Sequence, residues 1–298
     1  MKKFWLKNYK LILKIVVSSV LLTIIFYRID KASLVENIKL LDLRYAPLII
    51  LLLILNYVVG AFRWKSLLIH NNSHKVSVGY LINLYFIGAF FNNFMPTTIG
   101  GDVYKVFKLG KKIDNTVDSF SATFMERFTG VIALVLISVV SLVKLLGFWG
   151  LLLLLGFFLG IVVSYVVLGL LATKFNKLKK IYDSITLYKN HKRVLGWAFV
   201  TSFSIQLFAI FTQFFIFKAL GMNLPLTYSL FVFPVITLAS FFIPSLNGVG
   251  VQDALYIRFF LSVGIAESAS LSASLIYHLF RLSVSLIGGL LYALGKDE

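Results

Sequence analysis

Apolar residues run along this chain in stretches of about 20, the length of helix that crosses the hydrocarbon core of a bilayer, and polar positions gather in the links between them. The pattern predicts spans over residues 11–27, 46–62, 121–143, 149–172, 195–217 and 271–294. Two further apolar stretches stop early. Residues 77–95 enter the membrane and end at Pro96, and the following 102–120 carry too much charge to cross lipid. Residues 228–243 end at Pro244. Proline lacks a backbone donor and disfavours helix in the residue before it. Each stretch therefore reads as the entering arm of a re-entrant hairpin, the second covering 228–264. Non-helical backbone at that depth is tolerated only where it is buried in protein or lines a wet cavity. Eight simple spans without hairpins is the alternative.

The two broken segments resemble each other. Phe94-Met95-Pro96 matches Phe242-Ile243-Pro244, and a glycine follows each proline by four residues, Gly100 and Gly248. Further on, Ser121 to Met125 matches Ser272 to Ile276, with a short insertion between the blocks. The expected fold class is an all-α polytopic membrane protein: an inverted repeat of two halves, about 1–146 and 148–294, with about six full spans plus two re-entrant hairpins. One membrane domain covers 1–298. The links 28–45 and 173–194 read as loops, and Arg63-Trp64-Lys65 as an interfacial anchor at a span end. The first span, preceded by four lysines in residues 1–10, lacks a small-x-small cleavage site and reads as an uncleaved helix.

Composition agrees. The chain is 59% hydrophobic, beyond the roughly half-apolar usage of soluble domains, and its mean hydropathy is +0.90. The formal charge of +17 raises nucleic acid as a partner, but the basic residues sit in links between spans, so none is expected. With the N-terminus inside, the inner segments hold about 20 of the Lys and Arg residues and the outer ones about seven, which favours both termini on the cytoplasmic side of the cell membrane. With no cysteine, disulfides and thiol ligands are excluded.

The remaining polar residues carry the candidate chemistry. Gly100, Gly101, Gly248 and Gly250 let the backbone turn and approach a ligand. Helices restarting at Asp102 and Val251 would aim free N–H groups at the breaks, a ready anion site; close helix packing would use the same glycines. Asp102 and Asp253 read either as N-caps or as binding or proton-coupling groups. Asn92, Asn93 and Asn247 read as partners either for a ligand or, the favoured reading, for frayed backbone at the hairpin tips. Arg127, His278 and Arg281 lie in spans, where a charge costs at least about 2.5–3.5 kcal/mol and so faces a cavity or a partner. Arg127 aligns with His278 in the repeat, and Arg281 is one turn beyond on the same face. Arg127 and Arg281 would hold a phosphate through their forked donors, unless a Glu126–Arg281 bridge simply ties the halves together. His70, His74 and His191 fall in links and no metal role is expected. Catalysis lacks support, because a membrane phosphatase needs paired histidines and a head-group transferase needs clustered aspartates.

The runs FNNFMPTTIGGDVYKVFKLGKK, ERFTG, FIPSLNGVGVQDA and HLFRL are similar to those of the flippase-like membrane family that includes the lipid-translocating domains of lysylphosphatidylglycerol synthases. The resemblance implies movement of a phospholipid or polyprenyl-phosphate lipid, with no cofactor. Matched by position to its motifs are Pro96, Gly100, Gly101, Asp102, Glu126, Arg127, Gly248, Gly250 and Arg281, and with Lys105 and His278 they make up the expected substrate-binding set. Membrane lipids with an anionic head group are then the expected partners, and a homo-oligomer is allowed. The aminoacyl-transferring domain of the bifunctional relatives has no counterpart here, so production of aminoacylated lipid does not follow. A secondary transporter for a small anion and a non-transporting scaffold for envelope enzymes are the other readings.

Overall fold

Lipid offers the backbone no partners outside its own segment, so apolar runs become helices. The structure, a computed structural model, describes residues 31–69, 76–94, 100–243, 245 and 247–297 together with Thr23. The expected first span apart from Thr23, both hairpin prolines Pro96 and Pro244, and His70 and His74 lie outside the described residues. Among the described residues, eleven α-helices follow in order: α1 Lys31–Lys39, α2 Ala46–Leu67, α3 Val78–Phe94, α4 Gly100–Lys112, α5 Thr116–Leu146, α6 Phe148–Ala172, α7 Asn176–Leu187, α8 Lys192–Ala219, α9 Leu226–Phe242, α10 Val251–Leu261 and α11 Glu267–Ala293. No strand occurs among the described residues. Five helical stretches among the described residues, in α2, α5, α6, α8 and α11, are long and apolar enough to cross a membrane, and α9 is a shorter apolar helix.

Helices α2 and α8 pack along each other at the centre. Helix α3 lies on α11 and α5 on α9, while α4 packs on α3 and α5, and α10 on α9 and α11. Two ends of the bundle can be traced from the contacts. At one, the Tyr188 hydroxyl donates to the Leu67 carbonyl (2.6 Å), Lys65 Nζ to the Val76 carbonyl (2.7 Å), and the Tyr80 hydroxyl to the Asp297 carbonyl (3.3 Å). At the other, the Asp42 amide donates to the Ala219 carbonyl (2.7 Å) and Asn37 Nδ2 to Ser268 Oγ (3.4 Å). Helices α3 and α4 run antiparallel, with Lys112 Nζ 4.2 Å from the Tyr80 ring. So do α9 and α10, where the Tyr228 hydroxyl donates to the Phe259 carbonyl (2.6 Å).

Three expectations need correction. The links 28–45 and 173–194 are not simply loops, for they contain α1 and α7. In α7, Leu178, Ile181, Tyr182 and Ile185 recur at helical spacing and give it one half-buried apolar face. The third concerns Arg63 and Trp64. Helix α2 continues through both to Leu67, with Trp64 fully buried and Arg63 only 7% exposed. They sit inside the bundle, not at an interface.

With lipid outside, helices gain little from apolar association and rely on close packing. Gly60 lies against the Tyr85 ring, and Gly288 of α11 against the Phe86 carbonyl of α3. Helix α6 differs: no residue from Leu151 to Leu171 is buried, so it faces outward along most of its length.

Asp297 closes the first end of the bundle. Lys108 Nζ is 2.5 Å from its Oδ2, and the Tyr104 hydroxyl donates to the same oxygen. Burial pushes this carboxyl up, but the hydrogen bonds from Lys108 and Tyr104 outweigh it and hold it below the ordinary aspartate value. A folded-state pKa below the unfolded one contributes stability in full above the unfolded value, about 3.9, and loses it as pH falls through the folded value. Unfolding midpoints in detergent should therefore fall more for the parent protein than for Asp297→Asn on acidification below about pH 4. Parallel curves for the two proteins would mean that the contact contributes nothing in solution.

Candidate functional site

Helices α2, α4 and α5 bring five ionisable side chains into one chain of contacts. Arg63 Nη2 donates to Glu126 Oε1 at 2.8 Å, and Glu126 Oε2 is 3.6 Å from Lys105 Nζ. Lys105 lies 3.1 Å from Asp102 Oδ1, and the other Asp102 oxygen accepts from Arg127 Nε. Arg63 Nη1 also donates to Ser202 Oγ of α8 (2.8 Å). Lys105 Nζ sits 3.9 Å from the Tyr85 ring centroid and 5.0 Å from that of Trp64. These aromatic faces stabilise a cation that has left water. Three cations meet two carboxylates, an excess of one positive charge when all are ionised.

Four members of the chain are buried, and the Arg127 side chain is 35% exposed. They line a cavity of about 270 Å³ together with Asn56, Tyr57, Tyr85, Asn92 and Gln206. The Tyr85 hydroxyl is buried without a hydrogen-bond partner among the described residues, so the wall presents polar capacity that those residues do not use.

A second, smaller cluster joins α10 and α11. Asp253, fully buried, accepts from the Gly250 amide (2.7 Å) and from Ser274 Oγ (2.5 Å). His278 Nε2 stands 3.3 Å from its Oδ1. Asp253 and His278 have the same separation along the chain as Asp102 and Arg127. Between the clusters, Asn247 Nδ2 donates to Asn93 Oδ1 (2.5 Å), Asn93 Nδ2 donates to Ser285 Oγ (2.6 Å), and Arg281 Nη2 donates to Asn247 Oδ1 (2.8 Å). Asn247 and Gly248 adopt positive φ, 48° and 90°, a turn in which glycine carries no steric cost.

The family model described as the lysylphosphatidylglycerol synthase TM region matches residues 11–289. The chain belongs to this family. No curated protein and no solved structure matches it. Membership in the lysylphosphatidylglycerol synthase TM region family, with the helical spans, makes this a multi-pass membrane protein with a lipid-related function.

Of the residues expected in the site, Asp102, Lys105, Glu126 and Arg127 come together in the charged chain. Asp253 and His278 form their own pair. The expected alternative bridge from Glu126 to Arg281 is not present: Glu126 is occupied by Arg63 and Lys105, and Arg281 bonds Asn247 and lies 5.2 Å from the Tyr277 ring centroid. Nor does Arg281 line the cavity that holds Arg127. Helix α4 already includes Gly100 and Gly101, ahead of the expected restart at Asp102. Gly101 packs so closely that a Cβ there would lie 2.0 Å from the Gly88 carbonyl oxygen, and its amide donates to Asn92 Oδ1 (2.8 Å). Helix α10 does restart at Val251, beside Gly250. Pro96 is outside the described residues.

No expectation falls on Ser202, Tyr85 or Gln206, and Arg63 is expected only as an interfacial anchor. Arg63 leaves one signal: Leu67-Leu68-Ile69 resumes after Trp64-Lys65-Ser66, so apolar residues lie on both sides of the charged segment.

Proposed function

We propose that this protein moves a phosphate-bearing lipid, of phospholipid or polyprenyl-phosphate type, across the cytoplasmic membrane. The observation carrying this reading is the buried chain from Arg63 to Arg127, with its excess positive charge and its one part-exposed cation opening into a cavity. A charge network inside a membrane is costly and usually serves transport or pairing. The cavity volume, about 270 Å³, suits a head group and leaves acyl tails in the bilayer. Removing the hydration of a phosphate costs so much that donors must accompany it through transit, and Arg127 supplies a fork of them.

The halves act in this reading as an inverted repeat, with α3–α4 and α9–α10 as re-entrant hairpins entering from opposite sides. Supporting this, the packing pairs exchange under one swap: α3 on α11 mirrors α9 on α5, α4 on α5 mirrors α10 on α11, and α2 with α8 maps on itself. At 17 residues, α3 is about 25 Å long, short of the roughly 30 Å core. The Asn93–Asn247 contact joins the two tips, where transporters of this architecture hold their substrate. Both termini are placed inside the cell, and the protein is read as a carrier of membrane lipids with no reaction of its own.

In liposomes carrying a head-group-labelled phospholipid, the purified protein should equilibrate label between leaflets, and Arg127→Ala should lose at least about tenfold of that rate, as expected when a charged partner worth 1.5–3 kcal/mol is removed. Full activity in Arg127→Ala, or uptake of a soluble phosphate ester with no lipid movement, would overturn the proposal.

A further inference from the structure

On the face of α5 away from the charged chain lies a larger, apolar cavity of about 740 Å³, walled by α5, α6 and the end of α7, with Tyr188, Lys189 and Leu195 of α8. Its floor is the stacked pair Phe124 and Phe128, with ring centroids 6.2 Å apart. Its α6 wall runs from Gly156 to Leu168, about 18 Å along the helix axis and close to one leaflet of a core about 30 Å thick. Nothing stands within 4 Å of a Cβ built on Gly156 or Gly160, so these glycines open a groove instead of closing a helix contact.

One end of this cavity is polar and basic. The Tyr165 hydroxyl donates to Tyr182 (3.2 Å) and lies 3.0 Å from Thr186 Oγ1. Lys189 Nζ is 4.4 Å from the Tyr165 ring centroid. Lys189 also belongs to an adjoining hollow of about 550 Å³ lined by His191, Lys192 and Arg193. A long apolar slot thus leads to a cluster of cations at the end of the bundle where Tyr188 meets Leu67.

We infer that this slot is a second lipid site, independent of the transport cavity, which holds an anionic phospholipid with one acyl chain along α6 and its phosphate at Lys189, Lys192 and Arg193. The bilayer is as apolar as the slot, so the acyl chain adds little preference of its own. Selectivity must come from the head group, at about fivefold (about 1 kcal/mol) per basic residue near the surface. Occupancy would fasten the otherwise exposed α6 to α5 and α7.

The test uses a phosphatidylglycerol carrying a photoreactive acyl chain, in nanodiscs of phosphatidylcholine, with labelled peptides located by mass spectrometry. Labelling is expected on α5 near Phe124 and Phe128 and on α6 from Gly156 to Tyr165. Unlabelled phosphatidylglycerol should displace it at least about fivefold better than phosphatidylcholine. Gly160→Leu, which grows into open space, should abolish labelling, and Lys189→Gln, a surface change, should cut the preference about fivefold. Arg127→Ala should label like the parent chain, which separates this site from the transport reading. Equal displacement by both lipids, labelling that persists in Gly160→Leu, or an unchanged preference in Lys189→Gln would overturn the assignment.

Discussion

Gly288→Ala is expected to destabilise the fold more than any other one-methyl change on the α11 surface. A Cβ at this position would lie 1.9 Å from the Phe86 carbonyl oxygen, 2.2 Å from its carbon and 2.7 Å from the Ile87 nitrogen. All three are backbone atoms of α3, so no rotamer change relieves the overlap. The helices must part by more than an ångström, and their whole contact loosens, since membrane helices are held together mainly by close packing. Overpacking of this kind costs about 1–3 kcal/mol, and more where the obstacle is backbone. The measurement is the unfolding midpoint in detergent, with Gly156→Ala as reference, because a Cβ at Gly156 meets nothing within 4 Å. Equal midpoints for Gly288→Ala and the reference would mean that α3 and α11 do not cross this closely.

The second large effect is expected from Glu126→Ala. This carboxylate is 4% exposed and pairs with both Arg63 and Lys105. Removing it leaves two buried cations with Asp102 as their remaining carboxylate in this chain of contacts. Breaking a buried pair from one side costs about 3–5 kcal/mol. Replacing both ends, as in Arg63→Met with Glu126→Leu, removes the charges together and should recover most of that loss, since apolar substitutes for a buried pair are often neutral or stabilising. Lipid movement should not recover with it, because the excess of one positive charge remains but the placement of the charges around the cavity has changed. A double variant as unstable as Glu126→Ala would show that the pair is not an isolated structural unit. A stable and fully active one would remove this chain of contacts from the transport mechanism.

Much of the architecture was legible along the chain. The apolar runs mark α2, α5, α6, α8 and α11 because a bilayer requires about 20 such residues. The stop before Gly248 and the restart at Val251 follow from local rules for glycine and helix starts. Where reading failed, it failed at amphipathic and enclosed segments. The lysines of 173–194 hid the apolar face of α7, which shows only at a spacing of three and four residues. Arg63 beside Trp64 looked like an anchor because a basic and an aromatic residue together have that role at an interface. Inside the bundle, Arg63 pairs with Glu126, and the Trp64 ring lies 5.0 Å from Lys105 Nζ.

Hydropathy and backbone chemistry by themselves determined that this chain is helical, that it crosses a membrane several times, and that its polar residues are concentrated where two helices break. Those are local properties, set by what lipid does to an unpaired peptide group. The partners of the ions were decided only by the tertiary structure. Arg63 reaches Glu126 across 63 positions, and Asn93 reaches Asn247 across 154. Which of several cations a given carboxylate meets depends on helix rotation and crossing. Those depend in turn on contacts as fine as one glycine against one carbonyl, and no periodicity along the chain records them.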